Sequence, residues 1–505
     1  MSSIVLDTTL GWREVVAIAE GAGLGLSAAA GGRIDAARAV VDAIVARGIR
    51  AYGVNTGVGA LCEVVVDRPL QRRLSRNLLM SHATGIGVPL GRIETRAIIA
   101  AAINNYAHGH SGIRREVVQG LAVLLERDCI PVVPARGSVG YLSHMAHIGL
   151  VLIGAGKAAW NGEVLDGGAA LDRIGQAPLV LEAKEGLSLV NGTPCATGLA
   201  CLVLARGENL LAWSDAIAAM SFENLRGNPA AFDPASLALR RSPGLQAVGR
   251  SLRRLLDGSA IIAVGTGRGT GAGDGAPAGR TQEALSLRAI PHVHGAARDV
   301  LAEAAAVVDR ELASVTDNPL VTGTPDQPEV HSQAHAVGAA LALAMDSLAI
   351  ALAGVAAMSE RRFDRLINPL VSGLPPFLAA DSGVASGFMI AQYAAVSLVA
   401  ENRRLALPAS LDGGVTSALQ EDHLAHATPA ALKALALIEN AERILALEYL
   451  AAAQAYEFQR ESRAPGTDRF YCLLRSVLPA YADDRPLSDD MEQAWRLIRT
   501  AAMPV

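Results

Sequence analysis

Four long stretches, 297–313, 332–364, 384–406 and 429–460, carry apolar residues at helical spacing over several turns. Helices of that length with apolar faces that wide must share a core, so the chain is predicted to build a bundle of long helices. Segment 208–461 is read as this bundle domain, 1–207 as a smaller α-rich N-terminal domain whose loops are the candidate active-site loops, and 462–505 as an appendage with two short helices. The fold class that follows is mainly all-α. Aromatic residues make up only 4% of the 505 residues while Ala, Leu and Val dominate, so helices packed closely through small side chains are expected.

The longest apolar stretch, Gly338 to Met358, has the length of a membrane span, but Asp346 interrupts it and "SERRFDR" continues its helical pattern, so it reads as a buried bundle helix. A net charge of -5 with scattered Lys and Arg offers no basic face, which argues against nucleic acid or an anionic membrane as partner. Cys62, Cys129, Cys195, Cys201 and Cys472 show no C-x-x-C pairing, so neither a disulfide framework nor a metal site is indicated and a reducing cytoplasm fits. "MSSIVLDTTLGWREVV" has no basic region followed by an apolar one, so no secretory signal is read. "GTGRGTGAGDGAPAG", Gly265 to Gly279, lacks the G-x-G-x-x-G period and reads as a mobile loop, not a phosphate cradle.

Polar residues in short irregular segments are the candidates for chemistry. "YGVNTGVG" is a glycine-rich loop holding the phenol of Tyr52, and "NLLMSHATGIG" places His82 at the end of an apolar helix. Asn191 follows an apolar run in "EGLSLVNGTPCATG", Arg288 is read on a loop closed by Pro291, and Asn318 lies in a turn ahead of Pro319. Glu421 stands in "ALQEDHLAH", just before another helix. Each alone is explained as a turn, a cap or a packing residue.

Taken in order and spacing, with "SGIRREV", "SGLPPFLAADSGVASGFMIAQ", "ENRRLALPAS" and "ALEYLAAAQA", these segments resemble the histidine and phenylalanine ammonia-lyase family from about residue 34 to 460, closest to its histidine branch. The resemblance implies an ammonia-lyase-like helical fold and a homotetramer whose active sites combine segments of several subunits. It also implies Tyr52 as catalytic base, Glu421 as second catalytic group beside the substrate ring together with His82, Arg288 at the substrate carboxylate, Asn191 and Asn318 as polar orienters, and Met389 in the substrate site.

One departure decides the reading. In the family, "GSVG" runs into Ala-Ser-Gly-Asp, and the Ala-Ser-Gly cyclises on its own backbone into a methylidene-imidazolone electrophile. Here Gly140 is followed at once by "YLSHMAHIGLVLIG", which rejoins the family pattern short by the length of that tripeptide. No prosthetic group is therefore expected, and no other cofactor. An "ASG" at Ala385 to Gly387 belongs to a different element and reads as a helix start. The family's Gly-Gly-Asn-Phe-His-Gly-Glu segment appears only as "VHSQAHAVG", with Gln333 for an Asn and Val337 for a Glu.

The electrophile exists because an unactivated amine is a poor leaving group. A quaternary amine needs no such help, since trimethylamine leaves as a neutral molecule. The expectation is a cofactor-independent carbon–nitrogen lyase acting on a histidine-derived betaine, as ergothionase does when it splits ergothioneine into thiourocanate and trimethylamine. Tyr141, brought by the deletion to the place of the electrophile, is expected to offer its ring face to the trimethylammonium. Alternatives stay open: a lyase on another activated amino acid, a non-catalytic relative that only binds or assembles, and an ammonia-lyase with an unrecognised prosthetic group.

Overall fold

The computed structural model describes residues 3–265, 282–411 and 413–503. The glycine-rich stretch expected as a mobile loop lies outside them, apart from Gly265, the last residue of the helix Ala260–Gly265. The described residues fall into two compact units, one within Met1–Ala205, Ala304–Asp346 and Pro408–Leu432, the other within Arg206–Glu303, Ser347–Leu407 and Lys433–Val505.

The first unit combines helices with small sheets of short strands. Ser3–Leu6 pairs in parallel with Gly23–Leu26, Ile86–Pro89 runs antiparallel to Pro134–Arg136, and Leu320–Gly323 forms a hairpin with Pro328–His331. The helix Ala28–Arg47 shows how local sequence sets an element's ends. Ser27 accepts from the Ala30 amide at 3.0 Å to start it, and Gly48, at φ +64°, stops it in the left-handed conformation. "RAIIAAAINNYA" lies in the helix Arg92–Ala107, buried on every side from Thr95 onward. Inside it, Arg96 donates to the carbonyls of Ile18, Ala19 and Leu125 at 2.8, 3.0 and 2.7 Å. A single buried guanidinium thus satisfies the terminal carbonyls of two neighbouring helices, Trp12–Glu20 and Arg115–Glu126.

The second unit is the long-helix bundle, built from the 206–224, 347–367 and 433–455 portions of the helices Pro194–Asn224, Ala339–Ile367 and Ala427–Ala455, with Ala391–Leu405, Pro465–Arg475 and Leu487–Thr500 beside them. In its core Trp213 packs against Tyr449 and Phe470, with ring centroids 5.8 and 5.6 Å apart. Arg362, fully buried, forks onto Glu448 at 2.6 and 2.9 Å, and Ser221 donates to the same carboxylate at 2.6 Å. Removing one partner of such a pair strands a buried charge, at a cost of about 3–5 kcal/mol. This pairing fixes the apolar helix Ala339–Ile367 as a bundle helix. By length and composition it and the stretch Glu185–Asn224 could each cross a membrane, but the apolar window of Glu185–Asn224 is 100% buried and that of Ala339–Ile367 is 56% buried.

Two predicted helices start later than their apolar pattern suggests. Residues 332–338 and 384–390 are turns, and the helices begin at Ala339 and Ala391. Side chains claim the backbone of both segments: Asn318 Oδ1 accepts from the Gln333 amide and Gln333 Nε2 donates to the Asp317 carbonyl, both at 2.9 Å, and Asp484 accepts from the amides of Ser386 and Gly387 at 2.7 and 3.0 Å. Arg288 is not on a loop but ends the short helix Leu285–Arg288, and Pro291 sits in the first turn of Ile290–Leu312, where a missing N–H costs nothing.

Candidate active site

A cavity of about 1100 Å³ opens in the first unit, and Tyr52, His82, Tyr141, Asn191, Asn318 and Glu421 all line it. Arg288 and Met389 belong to the second unit and do not line this cavity. The lining guanidinium, Arg50, is paired with Glu63.

The Tyr52 loop is shaped by its own polar residues. Asn55 accepts from the Ala51 amide at 2.9 Å, and Thr56 accepts from Gly53 at 3.1 Å. Gly53 is at φ +66°, and a Cβ there would stand 2.4 Å from Leu187 Cδ2, so no other residue fits without displacing that side chain. The phenol oxygen accepts from the Gly59 amide at 3.4 Å. Burial raises the Tyr52 pKa above the ordinary phenol value, and the Gly59 hydrogen bond only partly offsets it; Cys62 and the Glu421 carboxylate push the same way as burial.

Opposite in character is the polar floor. Asn191 caps the helix Glu185–Val190; its Oδ1 accepts from Gly192 at 2.9 Å and its Nδ2 donates to the Asn318 carbonyl. Asn318 Oδ1 accepts from the Gln333 amide at 2.9 Å, which leaves its Nδ2 as its uncommitted side-chain function among the described residues. Beneath it the fully buried pair Lys184–Asp317, 3.2 Å apart, holds the turn: Asp317 accepts from the Asn318 amide at 2.7 Å, and Lys184 donates to Ser111 and Ser188 at 2.7 and 3.0 Å.

His82 ends the helix Gln71–His82 with its Nδ1 3.0 Å from Ser81 Oγ. Burial holds its pKa below the ordinary imidazole value, against the raising effects of a backbone contact and the Glu421 charge, so the ring is kept neutral. Glu421 Oε2 accepts from Tyr141 Oη and from Thr416 Oγ1, both at 3.1 Å. Burial, followed by the charge and hydrogen bond of Glu421, pushes the Tyr141 phenol well above its ordinary range.

The loop before Tyr141 keeps a tight frame. Ser138 Oγ accepts from the Gly140 amide at 3.2 Å and donates to the Tyr141 carbonyl at 2.9 Å, while the Leu142 amide donates to Val190 at 2.9 Å. Residues 10–476 match the aromatic amino acid lyase family. The chain belongs to that family. It is 43% identical over 508 residues to the histidine ammonia-lyase of Symbiobacterium thermophilum, covering 100% of this chain and 98% of that one. The structure of histidine ammonia-lyase from Trypanosoma cruzi superposes with a TM-score of 0.89 at 35% identity, covering 98% of this chain and 93% of that one. That of ergothionase from Treponema denticola, in complex with desmethyl-ergothioneine sulfonic acid, superposes with a TM-score of 0.89 at 28% identity, covering 98% and 99%. As a member of this aromatic amino acid lyase family, the protein is a lyase-type enzyme acting on an amino-acid substrate.

The methylidene-imidazolone of the family does not fit the residues present. Within the retained frame Gly140 passes directly to Tyr141 and Leu142, neither of which can supply the ring. At Ala385–Gly387 the amide nitrogen that would close a five-membered ring, that of Gly387, donates instead to Asp484 at 3.0 Å.

Two contributors to the site were not among the sequence candidates: Thr416, which shares Glu421 with Tyr141, and the pair Lys184–Asp317 beneath Asn318. Nothing in their local pattern marks them. Both act through turns whose geometry depends on distant contacts.

Proposed function

We propose that this lyase eliminates trimethylamine from a histidine-derived betaine, ergothioneine or hercynine, without a prosthetic group. The observation that carries the reading is the direct junction of Gly140 to Tyr141 in an otherwise retained frame, facing the same cavity as Tyr52 and Glu421. With the electrophile's precursor gone, the leaving group has to be good at the outset, and a quaternary nitrogen is.

In this reading the Tyr52 phenolate takes a β-proton, the electron pair of that C–H bond forms the new C=C bond, and the C–N electrons depart with neutral trimethylamine. The product is a conjugated acrylate, and Tyr52 returns its proton to solvent. Tyr52 is a poor base in the free site because burial favours the neutral phenol. A permanent cation bound beside it favours the phenolate, so the substrate itself turns on the base. The donor end formed by Asn191 and Asn318 suits the carboxylate, and Arg288 completes it by a bidentate contact. Because Arg288 and Met389 do not line the cavity of the first unit, the proposal includes a homotetramer in which subunits share sites; a stable, active monomer in light scattering would contradict that sharing. A cytoplasmic location accords with the five free thiols.

A second reading, ammonia loss from histidine, is favoured by the 43% identity to proteins named histidine ammonia-lyase. One assay separates the two. Pure protein is incubated with ergothioneine, hercynine and histidine while ultraviolet spectra and released amine are recorded. Acrylate and trimethylamine from a betaine, with histidine untouched, are expected. Ammonia and urocanate from histidine would overturn the proposal.

A further inference from the structure

Glu421 sits in an unusual setting. Thr416 and Glu421 exchange backbone hydrogen bonds of 2.9 and 3.3 Å, closing a turn whose next residues, Ser417, Ala418 and Leu419, have φ of +51°, +49° and +75°. Three consecutive non-glycine residues in the left-handed region are costly, because each Cβ crowds the following carbonyl oxygen. Such a turn persists where its ends and neighbours over-determine it, and it is characteristic of functional sites. Here the ends are tied by the Thr416–Glu421 bridge, and Ser417 Oγ accepts from the Ala60 amide at 3.3 Å on the loop that also carries Tyr52.

The strained turn delivers one carboxylate in a defined orientation. Both of its donors, Tyr141 Oη and Thr416 Oγ1, converge on Oε2. Among the described residues Oε1 accepts no hydrogen bond, although Glu421 lines the cavity. A carboxylate with one oxygen committed twice presents the other as a directed acceptor. The Tyr141 hydroxyl is a dependable clamp because burial beside Glu421 keeps it protonated.

We propose that Tyr141 and Thr416 are positioning residues that fix Glu421 so that Oε1 selects a substrate ring bearing an N–H donor. Tyr141, which follows Gly140 directly because of the deletion, thereby serves as a hydrogen-bonding clamp on Glu421. This rests on the reading of the cavity as a lyase site for an imidazole-bearing substrate, and it assigns Tyr141 a duty for its hydroxyl, distinct from any contact of its ring face with a cation.

The test uses the full-length protein and variants Tyr141→Phe, Thr416→Val and Thr416→Ser. Binding of imidazole-4-propanoate and its two ring-N-methyl isomers is measured by calorimetry, and turnover of hercynine by spectroscopy. The wild type is expected to bind the N–H ligand roughly 10- to 100-fold more tightly than one methylated isomer, the size of a hydrogen bond to a charged group. Tyr141→Phe, which keeps the aromatic face, should reduce that ratio to within about threefold and raise KM for hercynine roughly tenfold, with kcat changed by less than about threefold. Thr416→Val should act in the same direction and Thr416→Ser should restore the ratio, at an unchanged melting temperature. A ratio unaffected in both Tyr141→Phe and Thr416→Val, or no discrimination by the wild type, overturns the proposal. Discrimination that follows this pattern without turnover of any betaine upholds the clamp and overturns the proposed reaction.

Discussion

Two short loops invite comparison: Gly137–Leu142, which keeps the family's frame without its tripeptide, and Ala385–Gly387, which has the tripeptide without the frame. In the first, Ser138 and the Val190 carbonyl tie down the backbone, and Gly137, Gly140 and Leu142 take φ of +106°, +149° and +74°. In the second, the Ala385 amide donates to the Asp381 carbonyl at 2.9 Å and the next two amides donate to Asp484. Closing an imidazolone needs the third residue's nitrogen against the first residue's carbonyl carbon. A nitrogen engaged by a carboxylate is held out of that path. The difference teaches that an Ala-Ser-Gly in this turn has its third nitrogen engaged by a carboxylate, which withholds the atom that ring closure needs.

The comparison breaks outright on a mass measurement. Intact protein should weigh what its sequence encodes, apart from processing of the initiator methionine. A deficit of two waters, mapped by peptide analysis to 385–387, would mean that the second loop cyclises after all. If no electrophile forms, turnover must rest on the cavity's own groups. Tyr52→Phe is then expected to fold and assemble normally and to lose about 10²- to 10⁴-fold in kcat, the usual worth of a positioned base. The pH dependence sharpens this. Because burial raises the Tyr52 pKa above 10.0 in the free enzyme, kcat/KM should climb with pH through the alkaline range. The limb seen in kcat should lie at lower pH, since the bound cation favours the phenolate. Coincident limbs would remove the substrate's part in activating Tyr52.

Periodicity made the long helices legible, because an apolar face several turns long has few other solutions. It failed at 332–338 and 384–390, where Asn318 and Asp484 capture amides and the deciding contacts lie 15 or more residues away in sequence. It also misjudged Arg288, since Pro291 reads as a loop closure but is tolerated in a helix's first turn. Six of the eight candidate site residues line one cavity, and family resemblance rather than local pattern singled them out. The Glu421 clamp was not legible. It depends on Ser417–Leu419 holding left-handed backbone with side chains that ordinarily avoid it, and no residue-type signal announces that.

A smaller effect probes why glycine stands at 387. Its φ is +55°, and a Cβ there would lie 2.4 Å from the Phe377 carbonyl oxygen. Gly387→Ala should therefore cost about 1–2 kcal/mol from the left-handed backbone alone, and more from the contact, read as a lowered denaturation midpoint. Per-molecule activity of the folded fraction should not change. That separation marks a backbone requirement; a stable Gly387→Ala protein that has lost turnover would instead point to chemistry at this glycine.

The smallest expected effect is the most discriminating. A methylidene group can arise only if a serine sheds its side-chain oxygen as water, so in a cyclising tripeptide the hydroxyl is indispensable. At Ser386 the amide serves Asp484, the side chain is exposed, and Oγ makes no hydrogen bond among the described residues. Ser386→Ala removes a hydroxyl that no described residue hydrogen-bonds. Stability should stay within about 0.5 kcal/mol of the parent, as for surface substitutions generally, and turnover of a betaine should be unaltered. If Ser386→Ala instead abolished activity at unchanged stability, the Ala-Ser-Gly at 385–387 would be a prosthetic-group precursor, and the missing tripeptide after Gly140 would lose its meaning for the mechanism.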